Sequence, residues 1–382
     1  MAEPASGQRG RTGIARMFRM HRSPSGLLRM RRIVVTFRLI VAVTVGVVAG
    51  VAAVAEVVTE VDAAVAPEAV PEDTEIFPGG AEYVLPANGD NVVGVVTTAI
   101  AEHEDTLIEI GRRYGVGYEE LISANPGIDP WLPGAGTEVL IPTRFILPDA
   151  PREGIVVNLP EHRLYYYPPA KAGAPRVVRT YPISTGKMDW KTPLGVTRVA
   201  SKQERPNWYP PASVREAHAA RGEPPLPAVV PAGPDNPLGE YALRLAIPSG
   251  AYLIHGTNRP AGVGMQVTHG CIRLYPEDIA ELYGLVPVNT KVNLVNQPGK
   301  VGWLRGTLYF EQHPLLEGAV DAGPDALGAL KQTVASVAEG HPVDVDWDGV
   351  EHAFRTQSGV PAPVSAPNEK RRGVTAASSS NR

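Results

Sequence analysis

Cysteine is almost absent from this sequence, because its 382 residues include only one, Cys271. A single thiol excludes any disulfide within the chain, so Cys271 needs an explanation other than cross-linking. Aromatic residues are also scarce, at 6%, whereas glycine (39) and proline (38) are frequent. That composition favours turns, short strands and linkers, and it argues against an all-helical protein.

Excess positive charge is confined to the start of the chain. Residues 1–38 carry nine arginines and one acid, Glu3, which makes a charge of +8. Because the whole chain carries −4, the remaining residues carry −12. Such an acidic protein lacks the broad basic surface that neutralises phosphates, so we expect no nucleic-acid partner.

The first 66 residues have the pattern of an export signal. The uncharged stretch Leu39–Ala55 directly follows a cluster of arginines, as in a secretory signal peptide. Small residues allow cleavage after Ala55 or Ala66, although the stretch is also just long enough to remain as a membrane anchor. A buried core helix is disfavoured by the valine and glycine content. We therefore expect residues 1–66 to send the chain to the periplasm or cell envelope, with a linker at 67–91.

Residues 92–143 combine strand and helix signals. Asp105 precedes apolar residues on helical spacing, and we expect it to cap a first helix. A second short helix is predicted at Tyr118–Asn125, where a Pro-Gly pair stops it. With strands near Val92–Val96 and Thr137–Pro142, the predicted order is βααβ.

The motifs of this unit resemble those of a LysM domain. The matching residues are Asp105-Thr106-Leu107, Tyr114-Gly115-Val116, Leu121–Asn125 and Val139–Pro142. Glu104 stands where such domains usually have glycine. The resemblance implies binding to glycan that contains N-acetylglucosamine, and the alternative is a packing module without affinity for sugar.

Strand signals dominate residues 153–297 and predict a mainly-β domain with a β-sandwich or barrel-like fold. The eight runs are GIVVNLP, HRLYYYP, RVVRTYPIS, GVTRVASK, YALRLAI, AYLIHGT, GCIRLYP and VNLVNQP. The proline-rich stretch 205–238 predicts a long excursion beside the site. We expect 298–318 to form an appendage, and 319–382 to be weakly structured with a disordered tail. The predicted fold class is thus multidomain, a mainly-β domain plus a small βααβ unit.

The segment AYLIHGTNRPAGVGMQVTHGCIRL holds the candidate chemistry. His255 ends one predicted strand, and glycines such as Gly256 in the following loop would let the two ends of the segment lie adjacent. Strand alternation over THGCIRL predicts three side chains on one face: His269, Cys271 and Arg273. Three reactive groups would then share a surface.

Cysteine is a useful nucleophile only as a thiolate, and its unperturbed pKa is about 8.5. We therefore expect His255 to be the general base, which forms a thiolate–imidazolium pair with Cys271 and later returns the proton. Backbone N–H groups around Gly270 and Cys271 would stabilise a tetrahedral oxyanion. Zinc bound by His255, His269 and Cys271 is the alternative. No C-x-x-C, H-E-x-x-H or second cysteine accompanies them, so we expect neither metal nor cofactor.

The pattern H-G-x(11)-T-H-G-C-I-R resembles the signature of the YkuD-type L,D-transpeptidase catalytic domain. The match extends over about residues 153–297, through segments such as YPISTGK and PDNPLGEYALRL. The resemblance implies that Cys271 is the nucleophile and His255 the proton acceptor and donor. It also implies a pocket wall formed by Thr268, His269 and Gly270, with Gly256 beside the substrate. Arg273 suits a substrate carboxylate, and a structural salt bridge is the alternative.

The resemblance implies acyl transfer on peptidoglycan stem peptides. The thiol attacks the carbonyl of the L-centre in a tetrapeptide stem, expels D-alanine and leaves a thioester. An amine then resolves it, either from a neighbouring stem, giving a 3-3 cross-link, or from a lysine of an outer-membrane lipoprotein. Two other functions stay open: a hydrolase in which water resolves the thioester, and a non-catalytic wall protein that binds glycan.

Overall fold

The computed structural model describes residues 80–86, 88–187, 192–248, 252–316 and 325–368. These residues belong to one of the two units into which the chain divides, Glu60–Arg382. The predicted export signal at residues 1–66 lies outside the described residues. Within the described part, no helix has both the length and the apolar character needed to cross a membrane.

Short strands alternate with a few helices along the described chain. The first part contains β1 (Ala81–Val84), β2 (Val92–Gly94), β3 (Thr97–Ile100), α1 (Leu107–Arg113), α2 (Tyr118–Ala124), β4 (Glu138–Ile141) and β5 (Arg144–Ile146). The middle part contains β6 (Gly154–Asn158), β7 (Arg163–Tyr167), β8 (Val177–Pro182), β9 (Thr185–Gly186), β10 (Gly195–Glu204), α3 (Ala212–Ala220), β11 (Tyr241–Leu245), β12 (Leu253–His255), β13 (Gln266–Thr268), β14 (Ile272–Arg273), α4 (Pro276–Leu285) and β15 (Lys291–Val295). The C-terminal part contains β16 (Gly299–Leu304), β17 (Thr307–Gln312), α5 (Ala326–Ala338), α6 (Trp347–Thr356) and β18 (Ala362–Pro363).

The predicted mainly-β character of residues 153–297 is confirmed. Each of the eight runs contributes a strand to one main sheet, whose order among the described residues is β1-β8-β7-β6-β15-β10-β11-β12-β14. The chain just after β8 then meets the far edge of this sheet. Ser184 and Arg273 exchange two backbone hydrogen bonds of 2.8 and 3.2 Å, which bring β14 beside the end of β8. The sheet therefore curls back on itself at the candidate site.

Helix α4 covers the main core, although the strand patterns did not predict it. It begins at Pro276 and carries Glu277 and Asp278 in its first turn, as helix N-termini favour. Its Ile279 and Leu282 are buried in the core that also holds the inward side chains of β11, β12 and β14. This packing fixes the end of β12, where the candidate base lies.

Residues 97–141 are called here the βααβ unit. β3 pairs antiparallel with β4, and the two strands enclose α1 and α2 around a separate apolar core. The opening strand is therefore Thr97–Ile100 and not Val92–Val96. β2 pairs instead with β5, because Val92 and Val93 are both buried against that neighbouring layer.

The first helix of the βααβ unit is capped by Thr106 and not, as expected, by Asp105. Thr106 Oγ1 accepts a hydrogen bond from the backbone N–H of Glu109 at 3.2 Å, and the Glu109 carboxylate accepts from the Thr106 N–H at 3.0 Å. This reciprocal capping box satisfies two exposed donors together. Asp105 pairs with Arg113 at 2.6 Å instead.

The predicted linker at 67–91 contains an edge strand of the main sheet. β1 pairs antiparallel with β8, and its Tyr83 is buried with the ring 6.0 Å from the ring of Phe145. Polar and proline-rich composition around this strand suggested a linker. Main-chain pairing and one buried aromatic side chain nevertheless stabilise a strand there.

The expectation that residues 319–382 are weakly structured is wrong for 325–368. Helices α5 and α6 pack on the hairpin of β16 and β17, and β18 pairs with β17. The core of this C-terminal unit includes Trp303, Phe310, Val334, Val350 and Val364. The apolar positions of two helices thus outweigh the proline, serine and alanine content of the region.

A buried ion cluster joins the C-terminal unit to the main sheet. Lys300 Nζ lies 2.8 Å from a carboxylate oxygen of Glu161 and 2.8 Å from one of Glu311. His313 Nε2 lies 3.1 Å from Glu311. The side chains of Glu161, Glu311 and His313 therefore have the spacing of metal ligands. The ammonium group of Lys300 contacts both carboxylates, and the cluster is best described as structural.

Candidate active site

The candidate residues meet on two adjacent parallel strands. β12 pairs with β14 so that Ile254 lies opposite Ile272 and His255 lies opposite Arg273. The two isoleucines are 0% and 1% exposed and belong to the main core. Because side chains alternate along a strand, His255 and Arg273 point to the opposite face.

Cys271 lies immediately before β14 on the same outer face. Its thiol accepts a hydrogen bond from the backbone N–H of Leu253, which is two residues before His255 on β12. Thiol and imidazole are therefore diagonal neighbours across two paired strands. The strand register therefore places the two residues that the sequence singled out for nucleophile and base at diagonal positions of adjacent chain segments.

The ring of His255 is buried and held by main-chain carbonyls. Its Nδ1 lies 2.6 Å from the carbonyl oxygen of Gly256. Since a carbonyl oxygen only accepts hydrogen bonds, this contact assigns a hydrogen to Nδ1. Nε2 is then the ring nitrogen that can take up a proton.

Burial opposes ionisation of both groups. It lowers the pKa of His255 to about 3; the charge of Arg273 adds to this shift, and backbone hydrogen bonds to Gly256 and Leu238 oppose it. Burial also raises the pKa of the Cys271 thiol, and hydrogen bonding and Arg273 offset this only in part. Burial therefore disfavours the expected resting thiolate–imidazolium pair, which stays a prediction. It favours a neutral thiol and a neutral imidazole, which suit general-base catalysis during attack.

The turn from Thr268 to Cys271 sets the direction of the nucleophile. Thr268 is buried, and its hydroxyl donates to the Cys271 carbonyl at 2.6 Å. Thr192 donates from its hydroxyl to the Gly270 carbonyl at 3.1 Å. Gly270 has φ +92°, a left-handed conformation that favours glycine. Thr268 holds the turn here, and its contact with substrate stays a prediction.

His269 departs from the predicted strand pattern. THGCIRL was predicted to be one strand. In the structure β13 ends at Thr268, and a bend at His269 and Gly270 precedes β14. His269 is exposed and lies outside both strands. Burial of part of its ring, and then the positive charges of Lys187 and two arginines, lower its pKa.

Arg273 supplies a positive charge beside the thiol. Its Nε is buried and has no hydrogen-bond partner among the described residues, and no acidic group among them raises its pKa by pairing. Burial and the nearby Arg259 instead lower the pKa of Arg273. The alternative of a structural salt bridge therefore finds no partner in the described chain. A guanidinium with spare donors is suited to a carboxylate ligand.

Gly256 positions the base through its backbone. Its N–H donates to the Tyr241 carbonyl at 3.1 Å, and its carbonyl accepts from His255. A Cβ at this position would lie 3.0 Å from the Ile279 side chain of α4, which would have to shift by a few tenths of an ångström to make room. Contact between Gly256 and substrate stays a prediction.

Sequence reasoning did not single out Asn236, which anchors the proline-rich excursion next to the base. Its fully buried side chain donates to the Pro206 carbonyl at 2.7 Å and accepts from the Leu238 N–H at 2.9 Å. Leu238 in turn contributes a carbonyl to His255. The signal available in the sequence was the Asp-Asn-Pro turn within PDNPLGEYALRL.

Comparisons with known proteins show the family to which this chain is similar. A family model described as the YkuD L,D-transpeptidase catalytic domain matches residues 152–294. The probable L,D-transpeptidase YcfS of Escherichia coli (strain K12) is 41% identical over 307 residues, which is 79% of this chain and 92% of that protein. Two further probable L,D-transpeptidases of the same strain, ErfK/SrfK and YbiS, are each 40% identical, over 74% of this chain and 91% and 92% of their own lengths.

Proposed function

This chain belongs to the L,D-transpeptidase family and acts in peptidoglycan acyl transfer, and we propose that Cys271 is its nucleophile and His255 its base. One observation carries the proposal. The only thiol of the chain lies diagonally across paired strands from a buried imidazole whose Nε2 is available for a proton. A nucleophile with an adjacent, oriented base is the general arrangement for covalent catalysis.

The first half-reaction forms a thioester. His255 Nε2 takes the thiol proton while the sulfur of Cys271 attacks the carbonyl carbon of the L-centre in a tetrapeptide stem. Backbone N–H groups at Gly270 and Cys271 stabilise the oxyanion that develops. As the C–N bond breaks, the imidazolium of His255 gives its proton to the leaving amine, and D-alanine departs.

The second half-reaction transfers the acyl group to an amine. His255, neutral again, removes a proton from the incoming amine, which attacks the thioester and releases the thiol of Cys271. The acceptor is the side-chain amine of a neighbouring stem or a lysine of an outer-membrane lipoprotein. Water in the same position would give hydrolysis.

The remaining parts of the chain fit a role at the cell wall. We propose that residues 1–66 export the chain to the periplasm, where its substrate lies. The βααβ unit carries the LysM-like motifs and would bind glycan strands that contain N-acetylglucosamine. Binding of purified protein to insoluble peptidoglycan, with and without competing chitin oligosaccharide, measures this affinity.

Purified protein incubated with a disaccharide-tetrapeptide tests the proposed reaction. We expect free D-alanine and 3-3 linked dimers, because one tetrapeptide acts as acyl donor and a second supplies the amine. Mass spectrometry of the muropeptides identifies the linkage, and intact-protein mass identifies the thioester. Release of D-alanine with only tripeptide product would identify a hydrolase, whereas no release from any tetrapeptide donor would overturn the proposal.

Arg273→Gln tests whether the cation beside the thiol binds a carboxylate of the donor. We expect KM for the tetrapeptide to rise by roughly 10- to 100-fold, because a charge-assisted hydrogen bond contributes about 1.5–3 kcal/mol. For a donor amidated at its free carboxylates we expect a much smaller rise in KM, because that donor offers no carboxylate to Arg273. Steady-state rates of D-alanine release give KM for each of the two donors.

The matched control for this variant is Arg355→Gln on α6, whose guanidinium is 72% exposed and pairs within its own helix. It is expected to leave KM unchanged. If Arg273→Gln also bound free and amidated donors with wild-type KM, the carboxylate role of Arg273 would be wrong.

A further inference from the structure

The βααβ unit is in direct main-chain contact with the loop that joins His255 to Cys271. At the start of α2, the N–H of Tyr118 donates to the Val263 carbonyl at 3.3 Å and the N–H of Glu119 to the Gly264 carbonyl at 3.1 Å. Gly264 has φ +85°, and a Cβ there would lie 2.2 Å from the Tyr118 nitrogen. Helix and loop are thus packed as closely as two backbones allow.

A buried ion pair fixes the start of α2 to the main sheet. Arg163 on β7 binds Glu120 through two contacts, Nε to Oε1 at 2.7 Å and an Nη to Oε2 at 2.8 Å. The side chains are 1% and 7% exposed. Glu120 Oε2 also accepts from the Gly117 N–H at 2.7 Å, and Arg163 donates to the Gly115 carbonyl at 3.1 Å. A paired guanidinium and carboxylate with these extra bonds allows little rotation of the helix start.

The Val263–Gly264 loop leads directly to the nucleophile. Strand β13 begins two residues after Gly264 and pairs with the two-residue β9. The last residue of β13 is Thr268, whose hydroxyl holds the carbonyl of Cys271. So short a strand provides few hydrogen bonds of its own, and a shift of the loop is passed along it to the Cys271 turn.

We propose that Glu120 and Arg163 are positioning residues for Cys271, which act through the start of α2 and the Val263–Gly264 loop. The βααβ unit is then a structural part of the active site in addition to any role in glycan binding. The inference rests on the proposed nucleophile. It predicts that changes in this unit alter turnover at a site they do not touch.

Glu120→Gln removes the charge and keeps the side-chain shape. We expect kcat for D-alanine release to fall about 10- to 100-fold with little change in KM, because a displacement of about 1 Å at a reacting group can have that effect. The rate of Cys271 alkylation by iodoacetamide, at one fixed pH, is expected to change as well. Both are measured well below the unfolding temperature of each variant.

The matched control is Glu277→Gln. The Glu277–Arg112 pair also joins the βααβ unit to α4, with contacts of 2.7 and 2.8 Å, but it is part-exposed and does not touch the loop. We expect wild-type kcat and alkylation rate for this control. An equal loss in both variants would mean that docking in general, and not the loop contact, matters, and it would overturn the proposal.

Gly117→Ala provides a second test that leaves the buried charges intact, in case Glu120→Gln does not fold. Gly117 has φ −78°, which alanine adopts freely, but its Cβ would lie 2.8 Å from the Gly264 Cα and would push the loop. Gly284→Ala on α4, where a Cβ meets open space, is its control. Folded Gly117→Ala protein with wild-type kcat and alkylation rate would overturn the positioning role.

The two readouts separate this inference from the proposed function. If wild type releases D-alanine and the variants have the same kcat and alkylation rate, the positioning role alone is refuted. Altered alkylation of Cys271 in Glu120→Gln and Gly117→Ala supports positioning. If wild type at the same time released no D-alanine from any donor, the proposed function would fail while the positioning role stood.

Discussion

Cys271→Ala is expected to lower D-alanine release from a disaccharide-tetrapeptide by about 10⁴-fold or more, since loss of a catalytic nucleophile has effects of that order. The chain contains no second thiol that could replace it. The intact-protein mass of the variant should show no acyl adduct under conditions in which wild type does. Quantified D-alanine and muropeptide masses provide the measurement.

Cys271→Ser separates the size of the side chain from its chemistry. Serine places a hydroxyl where the thiol was, in nearly the same volume. A hydroxyl is a far weaker nucleophile without a strong base, so we expect D-alanine release to fall nearly as much as in Cys271→Ala. Both variants should unfold within a few degrees of wild type, because each change removes or replaces a single side-chain atom. Equal yields of 3-3 dimers from wild type and Cys271→Ala would end the assignment of Cys271.

His255→Gln is expected to lower kcat by roughly 10²- to 10⁴-fold, the range typical for loss of a general base. The neutral thiol of wild type depends on this base during attack, because burial raises the Cys271 pKa. Alkylation at high pH should survive in the variant, since the solvent then removes the proton. Turnover of tetrapeptide and alkylation rate against pH distinguish loss of the base from loss of the thiol's position.

The same residue predicts a pH dependence of stability. The folded state keeps the pKa of His255 at about 3, whereas an unfolded histidine takes up a proton near 6.5. The unfolded state therefore binds more protons between these values, and the free energy of unfolding falls as the pH drops from about 6.5 towards 3. The contribution of one such group is up to about 1.4 kcal/mol per pH unit.

His255→Gln should remove this contribution and give a shallower fall over that window. Cys271→Ala, which empties the same site but keeps the imidazole, is the control and should keep the wild-type slope. Urea unfolding at several pH values measures the free energies. Equal slopes for wild type and His255→Gln would show that the ring is not held neutral in the folded protein.

The errors of the sequence analysis have identifiable physical causes. Strand periodicity could not show that Gly270 adopts a positive φ, so the bend that exposes His269 was missed. Composition near the C-terminus suggested disorder, whereas Val334 and Val350 pack against aromatic side chains from the hairpin of β16 and β17. The second of these misses concerns contacts between distant parts of the chain, which local pattern does not record.

Ionisation of the thiol is the most instructive difference. An imidazole near a cysteine suggested a thiolate, because charge attraction was the only effect visible in the sequence. Burial acts more strongly on both groups, and it favours the neutral pair. Desolvation depends on how many atoms of other strands and of α4 surround a group, and only the folded protein supplies that number.

The sequence by itself determined the strands of the main sheet other than β1, the βααβ order, and the two residues that carry the proposed chemistry. The strands could be predicted because the alternation of apolar residues and the turn-forming residues are local features. The two site residues could be predicted because histidine and cysteine lie at a characteristic spacing within one segment. Tertiary structure alone decided that β12 and β14 lie side by side and that burial lowers the pKa of His255 and raises that of Cys271. It also decided that the start of α2, fixed by Glu120 and Arg163, contacts the Val263–Gly264 loop. Those features depend on contacts between residues as far apart in the chain as Tyr118 and Val263, where neither periodicity nor composition carries information.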